Sequence, residues 1–138
     1  MNAIDTNILV YSFDESEPTK RSIARQLIRQ RISAKDTVLL WQVAVEFLGC
    51  LRRWQAAGRV TADDVVNLFE DVLLSFPLIR PTREILLQSQ RLFSRYSLSH
   101  WDSLVIAACS DAEVDTLYSE DMQNGQVYDG VRVINPFV

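Results

Sequence analysis

The 138 residues, 48% hydrophobic and 23% charged, have ordinary globular usage; they exclude a disordered chain and give one domain spanning 1–138. No run approaches the ~20 apolar residues of a membrane helix, and Met1-Asn2-Ala3-Ile4-Asp5 lacks the basic and apolar regions of a secretory signal. Fourteen basic against eighteen acidic residues give a net charge of −4, the wrong sign for a nucleic-acid binder that works by bulk electrostatics. Cys50 and Cys109 stand far apart in apolar surroundings, which fits a reducing, cytoplasmic setting. The single histidine, His100, leaves no His-rich metal site and makes a Ser-His-Asp triad a poor fit.

Ala3-Ile4-Asp5 reads as a buried strand ending near Asp5, followed by a helical turn capped by Thr6 or Asn7. Pro18-Thr19 opens an amphipathic helix with Ile23, Leu27, Ile28 and Ile32 on one stripe. Between Lys20 and Lys35 it carries six basic residues and no acid, which a solvated helix face explains. Val38-Leu39-Leu40 is a brief strand or a helix lead-in. Residues 42–56 form an apolar helix stopped by Gly58. Thr61 and Asp64 make a capping box for a helix to about Leu74. Pro77 to Pro81 is a short strand, and Thr82 to Tyr96 a helix with Ile85, Leu86, Leu92 and Phe93 on one stripe. Ser99 opens a helix through Ala108. Thr116-Leu117-Tyr118 and Val131-Arg132-Val133-Ile134 are short β-rich runs. Strands alternating with helices imply a parallel sheet covered on both faces.

Acids at four places resist a bland account. Asp5 ends the first strand, and ligands of open α/β sheets bind beyond the carboxyl ends of strands; alone, it reads as a helix N-cap. Glu46 sits inside the apolar Val43-Ala44-Val45-Glu46-Phe47-Leu48, where a bland reading makes it a solvent-facing position. Nearby Gly49 leaves room for an approaching group. Asp102 follows Ser99 at capping-box spacing yet can project from a helix end into a crevice. Glu120 and Asp121 follow the strand Thr116-Leu117-Tyr118; a surface turn explains them singly. Together, strand-end and helix acids can converge on one crevice. Close carboxylates repel and call for protons or cations. Hard ions such as Mg²⁺ and Mn²⁺ suit oxygen donors and serve phosphoryl chemistry. Phosphate-loop and dinucleotide glycine motifs are absent. Trp41, Trp54 and Trp101 have the chemistry to stack on bases; core or interface roles account for them more simply.

The segment Met1 to Tyr11 resembles the opening of a PIN domain of the VapC toxin type. Gln42-Val43-Ala44-Val45-Glu46-Phe47 is similar to its second acidic motif, Leu98 to Leu104 to the third, and Leu117 to Met122 with Gly125 and the ending Val133 to Phe137 to the last. The motifs stand in family order and cover nearly the whole chain. The resemblance implies a three-layer α/β/α Rossmann-like domain with a short parallel sheet. It further implies an Mg²⁺- or Mn²⁺-dependent endoribonuclease, the toxin of a toxin–antitoxin pair, neutralised by a small antitoxin and commonly a homodimer. Carried over by position, Asp5, Glu46, Asp102 and Asp121 become metal-binding acids, with Glu120 competing for the role of Asp121. Thr6, Asn7 and Ser119 become their polar supports. Trp41 departs from the family, where a smaller residue is common. Basic residues 20–35 or Arg52-Arg53 would hold the RNA backbone. A phosphatase or DNA nuclease on the same acids, or a non-catalytic partner-binding module, are the other readings.

Overall fold

The computed structural model describes residues 1–138. Its strands are β1 (Asn2–Ile4), β2 (Thr37–Leu40), β3 (Leu78–Ile79), β4 (Thr116–Tyr118), β5 (Val127–Tyr128) and β6 (Val131–Ile134). They form one sheet in the order β3-β2-β1-β4-β6-β5. Every pairing is parallel except β5 with β6. Six helices cover the sheet: α1 (Thr6–Tyr11), α2 (Pro18–Ala34), α3 (Trp41–Ala56), α4 (Ala62–Ser75), α5 (Arg83–Tyr96) and α6 (His100–Asp111). This is the expected three-layer α/β/α arrangement. No helix is long and apolar enough to cross a membrane.

Parallel strands buried on both faces read as continuous apolar runs rather than alternating ones. β2 follows that rule, with all four residues Thr37–Leu40 buried. The core of 28 buried apolar residues spreads along both faces of the sheet. Phe47 on α3 is fully enclosed, stacked on Phe13 at 5.9 Å between ring centroids and tilted against Phe69 at 6.5 Å.

Local signals hold at most element ends. Thr61 and Asp64 form the reciprocal capping box of α4. Gly58, at φ 76°, ends the turn after α3 as a left-handed residue. Three local expectations change. The N-cap of α1 is not Thr6 or Asn7 but Asp5, in keeping with the local reading of that acid; its carboxylate accepts from the Thr6 amide at 2.8 Å. α6 continues past Ala108 to Asp111. β5 was not anticipated, although Asp129-Gly130 signals it. Both residues have positive φ, 50° and 82°, as a two-residue hairpin of the I′ type requires.

Gly49 also differs from expectation. A Cβ placed there would meet only the Arg53 guanidinium, at 3.7 Å. Its space therefore belongs to a surface side chain and not to an approaching ligand. Gly49→Ala is expected to raise stability by about 0.5–1 kcal/mol, the usual gain from removing a mid-helix glycine. Chemical denaturation of the two proteins checks this.

Candidate active site

The chain runs from β1 outward to β2 and β3, then returns to place β4 on the other side of β1. That reversal makes the carboxyl ends of β1 and β4 a topological switch point, where a crevice opens. Ile4 pairs with Tyr118, and the Asp5 amide donates to the Tyr118 carbonyl at 2.9 Å. The two strands thus end level, and the residues just beyond them meet. The Ser119 hydroxyl donates to Asp5 Oδ2 at 2.7 Å, while its oxygen accepts from the Asp121 amide at 3.0 Å. Asn7, in the first turn of α1, accepts from the Glu120 amide at 3.2 Å and donates to Asp121 Oδ2 at 3.2 Å.

Glu46 arrives from α3. Thr6 Oγ1 donates to its Oε2 at 2.9 Å, and Gln42 Nε2, one turn earlier on α3, donates to its Oε1 at 3.0 Å. Asp5, Glu46 and Asp121 thereby share a pocket of about 430 Å³ with Thr6, Asn7, Tyr11 and Asp14. Asp5 is buried whereas Asp121 is exposed. Burial is the main reason the Asp5 carboxyl is pushed up to about 6, and the charges of Asp121 and Glu46 push the same way. Burial also raises Asp121, followed by repulsion from Asp102.

Asp102 occupies the first turn of α6, where its backbone amide donates to Ser99 Oγ at 3.1 Å. The reciprocal bond of a capping box is not made, so its carboxylate is not consumed in capping. It does not line the pocket; it acts on it through its charge on Asp121.

Glu120 and Asp121, indistinguishable as neighbours in sequence, part company here. Glu120 pairs with Lys20 on α2, whose ammonium also lies 4.6 Å from the centre of the Tyr11 ring. Burial alone would raise the Glu120 carboxyl, but Lys20 and the Tyr11 hydroxyl outweigh it and hold it low. Much of the basic run is likewise occupied: Arg25 bonds the Ser12 carbonyl and Arg31 pairs with Asp36.

Asp14 was missed as a wall of the pocket. It forms a turn with the Ser16 amide and hydroxyl, at 3.0 and 2.6 Å, and Arg59 reaches it at 3.2 Å. The Ser16 hydroxyl, with Arg59, holds its carboxyl below the ordinary range. Asp-x-Ser is a recognisable turn signal, but nothing local says that the turn borders the pocket. The tryptophans also differ from a core role: Trp41 and Trp101 are exposed, and Trp54 is half-buried under Arg59, 4.1 Å from its ring centre.

The donors gathered here are all oxygens, and their mutual repulsion is what a hard divalent cation relieves. No three acids stand close enough together to grip one ion as they lie.

A parallel α/β/α domain with acids collected at its switch point belongs to the class of Rossmann-like folds that bind charged ligands at strand ends. The PIN-domain family model matches residues 3–126, and the chain belongs to that family. PIN domains are nucleases, and they generally use divalent metals. Among solved structures, the chain is similar to one described as a toxin–antitoxin complex from Klebsiella pneumoniae. The TM-score is 0.69 at 19% identity, over 99% of this chain and 98% of that one. No curated protein matches the sequence.

Proposed function

We propose that this protein is a metal-dependent endoribonuclease acting as the VapC-type toxin of a toxin–antitoxin pair, cytoplasmic and homodimeric. The observation that carries the reading is the convergence of Asp5, Glu46 and Asp121 on one pocket, within the field of Asp102. These four acids would hold Mg²⁺ or Mn²⁺ once their side chains draw in around the ion, since as they lie no three of them grip one. Such an ion, when bound, supplies an activated water and offsets the charge of the phosphodiester. The supporting residues keep the carboxylates aimed: Ser119 and the Thr6 amide fix Asp5, and Asn7 fixes Asp121. Thr6 and Gln42 hold both oxygens of Glu46. Glu46, held in this way, would bind the metal directly or orient the attacking water.

The test uses purified protein free of any partner, with RNA, DNA and a generic phosphate ester, each with Mn²⁺ and with EDTA. RNA cleavage that stops with EDTA supports the reading. Cleavage that survives complete chelation overturns the metal role, and preference for DNA or the ester overturns the substrate.

The antitoxin arm is separate. Expression alone is expected to slow growth, and co-expression with the product of an adjacent small gene to restore it with a co-purifying complex. An arginine or lysine of that partner reaching the acids would give charge-assisted pairing. A neighbour that neither binds nor relieves growth removes the toxin assignment and leaves a stand-alone nuclease.

Glu120→Gln is expected to keep cleavage within a few fold, because that acid is turned to Lys20. Asp121→Asn is expected to lose most of it. Equal losses in the two variants would show that the pocket does not distinguish them.

A further inference from the structure

Glu120 and Asp121 are adjacent, carry the same chemistry and follow the same strand, yet only Asp121 lines the acid pocket. The loop by itself does not separate them. Asn7 serves both: its Oδ1 accepts from the Glu120 amide at 3.2 Å, and its Nδ2 donates to Asp121 Oδ2 at 3.2 Å. The Ser119 hydroxyl oxygen fixes the Asp121 amide at 3.0 Å. Met122, next along, has φ 64°, a left-handed conformation that a residue other than glycine keeps only where its surroundings hold it. These contacts grip the backbone and Asp121; none of them touches the Glu120 carboxylate.

That carboxylate is held by Lys20, in the first turn of α2. The Lys20 ammonium also donates to the Tyr11 hydroxyl at 3.2 Å. It lies 4.6 Å from the centre of the Tyr11 ring and 5.5 Å from that of Phe137, within reach of cation–π attraction. The two rings meet edge-on, with centroids 5.1 Å apart. Asn135 secures the segment that carries Phe137: its Oδ1 accepts from the Phe137 amide and its own amide donates to Asn124 Oδ1, both at 2.9 Å. The Lys20 and Glu120 side chains are only 31% and 29% exposed, so salt screens this pair less than one in open water. Tyr11 lines the acid pocket, and the cage around the ammonium thus shares a wall with the site. A Glu120 freed from Lys20 would hang from the same loop as Asp121 and offer a hard cation the same kind of oxygen.

We propose that Lys20 is a positioning residue that selects Asp121 as the pocket acid: caged by Tyr11 and Phe137, it holds the Glu120 carboxylate out of the pocket and so fixes the turn that presents Asp121. This role rests on the nuclease reading for the use made of Asp121, but metal binding can be measured without RNA.

The test measures Mn²⁺ affinity without RNA, from the electron paramagnetic resonance signal of the free ion. With Lys20 in place, Asp121→Asn weakens Mn²⁺ binding at least about 10-fold more than Glu120→Gln does, the scale on which a misplaced metal site loses affinity. In a Lys20→Met background the two losses become equal within a few fold, because either acid can then turn to the ion. Methionine keeps an apolar stem against the two rings. Lys20→Arg, which still pairs with Glu120, preserves the gap. With RNA, Lys20→Met lowers kcat by about 10- to 100-fold and leaves KM unchanged. Adding Glu120→Gln to Lys20→Met recovers most of kcat, since no charged competitor remains. Melting curves confirm that each variant folds, and Lys20→Gln replaces Lys20→Met should that variant fail.

A gap between the two acids that persists in Lys20→Met overturns the proposal. So does a KM that rises while kcat holds, because Lys20 would then contact the RNA backbone directly. A wild-type protein that binds no Mn²⁺ overturns it together with the metal role. Lys20-dependent selection of Asp121 without RNA cleavage would sink the nuclease reading and keep the positioning role; cleavage with a Lys20-independent gap would do the reverse.

Discussion

Asp5→Asn is expected to lower RNA cleavage at least about 100-fold, the scale on which removing one strongly placed electrostatic group acts. Asn has nearly the same shape and is an equally good N-cap, so α1 and the Thr6 amide contact survive the change. What disappears is one negative charge at the most buried position of the pocket. Asp102→Asn should fall by a comparable factor. Its fold is less at risk than the Ser99–Asp102 spacing suggests, because Ser99 accepts from the backbone amide of residue 102 and not from its side chain. Glu113→Gln is the control. Glu113 is exposed, in the turn leading to the amino end of β4 and so at the opposite end of the strands from the acids. It should be nearly silent. Initial rates with Mn²⁺, measured on proteins with matched melting curves, check the series. Equal activity in all three variants would place the site elsewhere.

The second large effect is on stability. The Asp5 carboxyl sits at about 6 in the folded protein against an ordinary 3.8. Between those values the folded state binds more protons than the unfolded chain. Stability therefore falls as pH rises through that window, then levels off above it. A shift of two pKa units corresponds to about 3 kcal/mol, and the raised Asp121 adds in the same direction. Asp5→Asn is thus expected to raise the melting temperature of the metal-free protein at neutral pH. The advantage should shrink as the pH falls through that window and vanish well below 3.8, where the Asp5 carboxyl is protonated in both states. A divalent ion that binds only the folded site adds about 2.7 kcal/mol at a hundredfold excess over its dissociation constant, several degrees for a domain of this size. Melting curves of wild type and Asp5→Asn, each with EDTA and with Mn²⁺, decide the matter. If Mn²⁺ stabilises both equally, Asp5 is no metal ligand. If the variant melts no higher than wild type in EDTA, the buried carboxylate is not the liability described.

The sequence by itself determined the element order, most element ends and the short list of acids. Those features arise within a turn or two of chain. Apolar periodicity marks Thr82 to Tyr96 as a helix, Thr61 and Asp64 cap α4 reciprocally, and Asp5 and Ser119 stand where strands end. The stripe of α5 shows the limit of this kind of information. Ile85 and Leu92 are buried, whereas Leu86 and Phe93, each one residue further round the helix, are exposed. Periodicity gives a face, but only the neighbouring elements set its width.

Tertiary structure alone decided that Asp121 faces the pocket while Glu120 turns to Lys20, a residue a hundred positions away in the chain. It also decided that Asp14 joins the acids, and that Trp41 and Trp101 are surface rather than core. The physical reason lies in the sheet. Pairing Ile4 with Tyr118 levels the ends of β1 and β4, and a register shift of one residue would send each following side chain to the opposite face. Convergence of the acids, and the raised Asp5 carboxyl that follows from it, depend on that long-range register and on how deeply the strand end is covered. Neither quantity is contained in the spacing of residues along the chain.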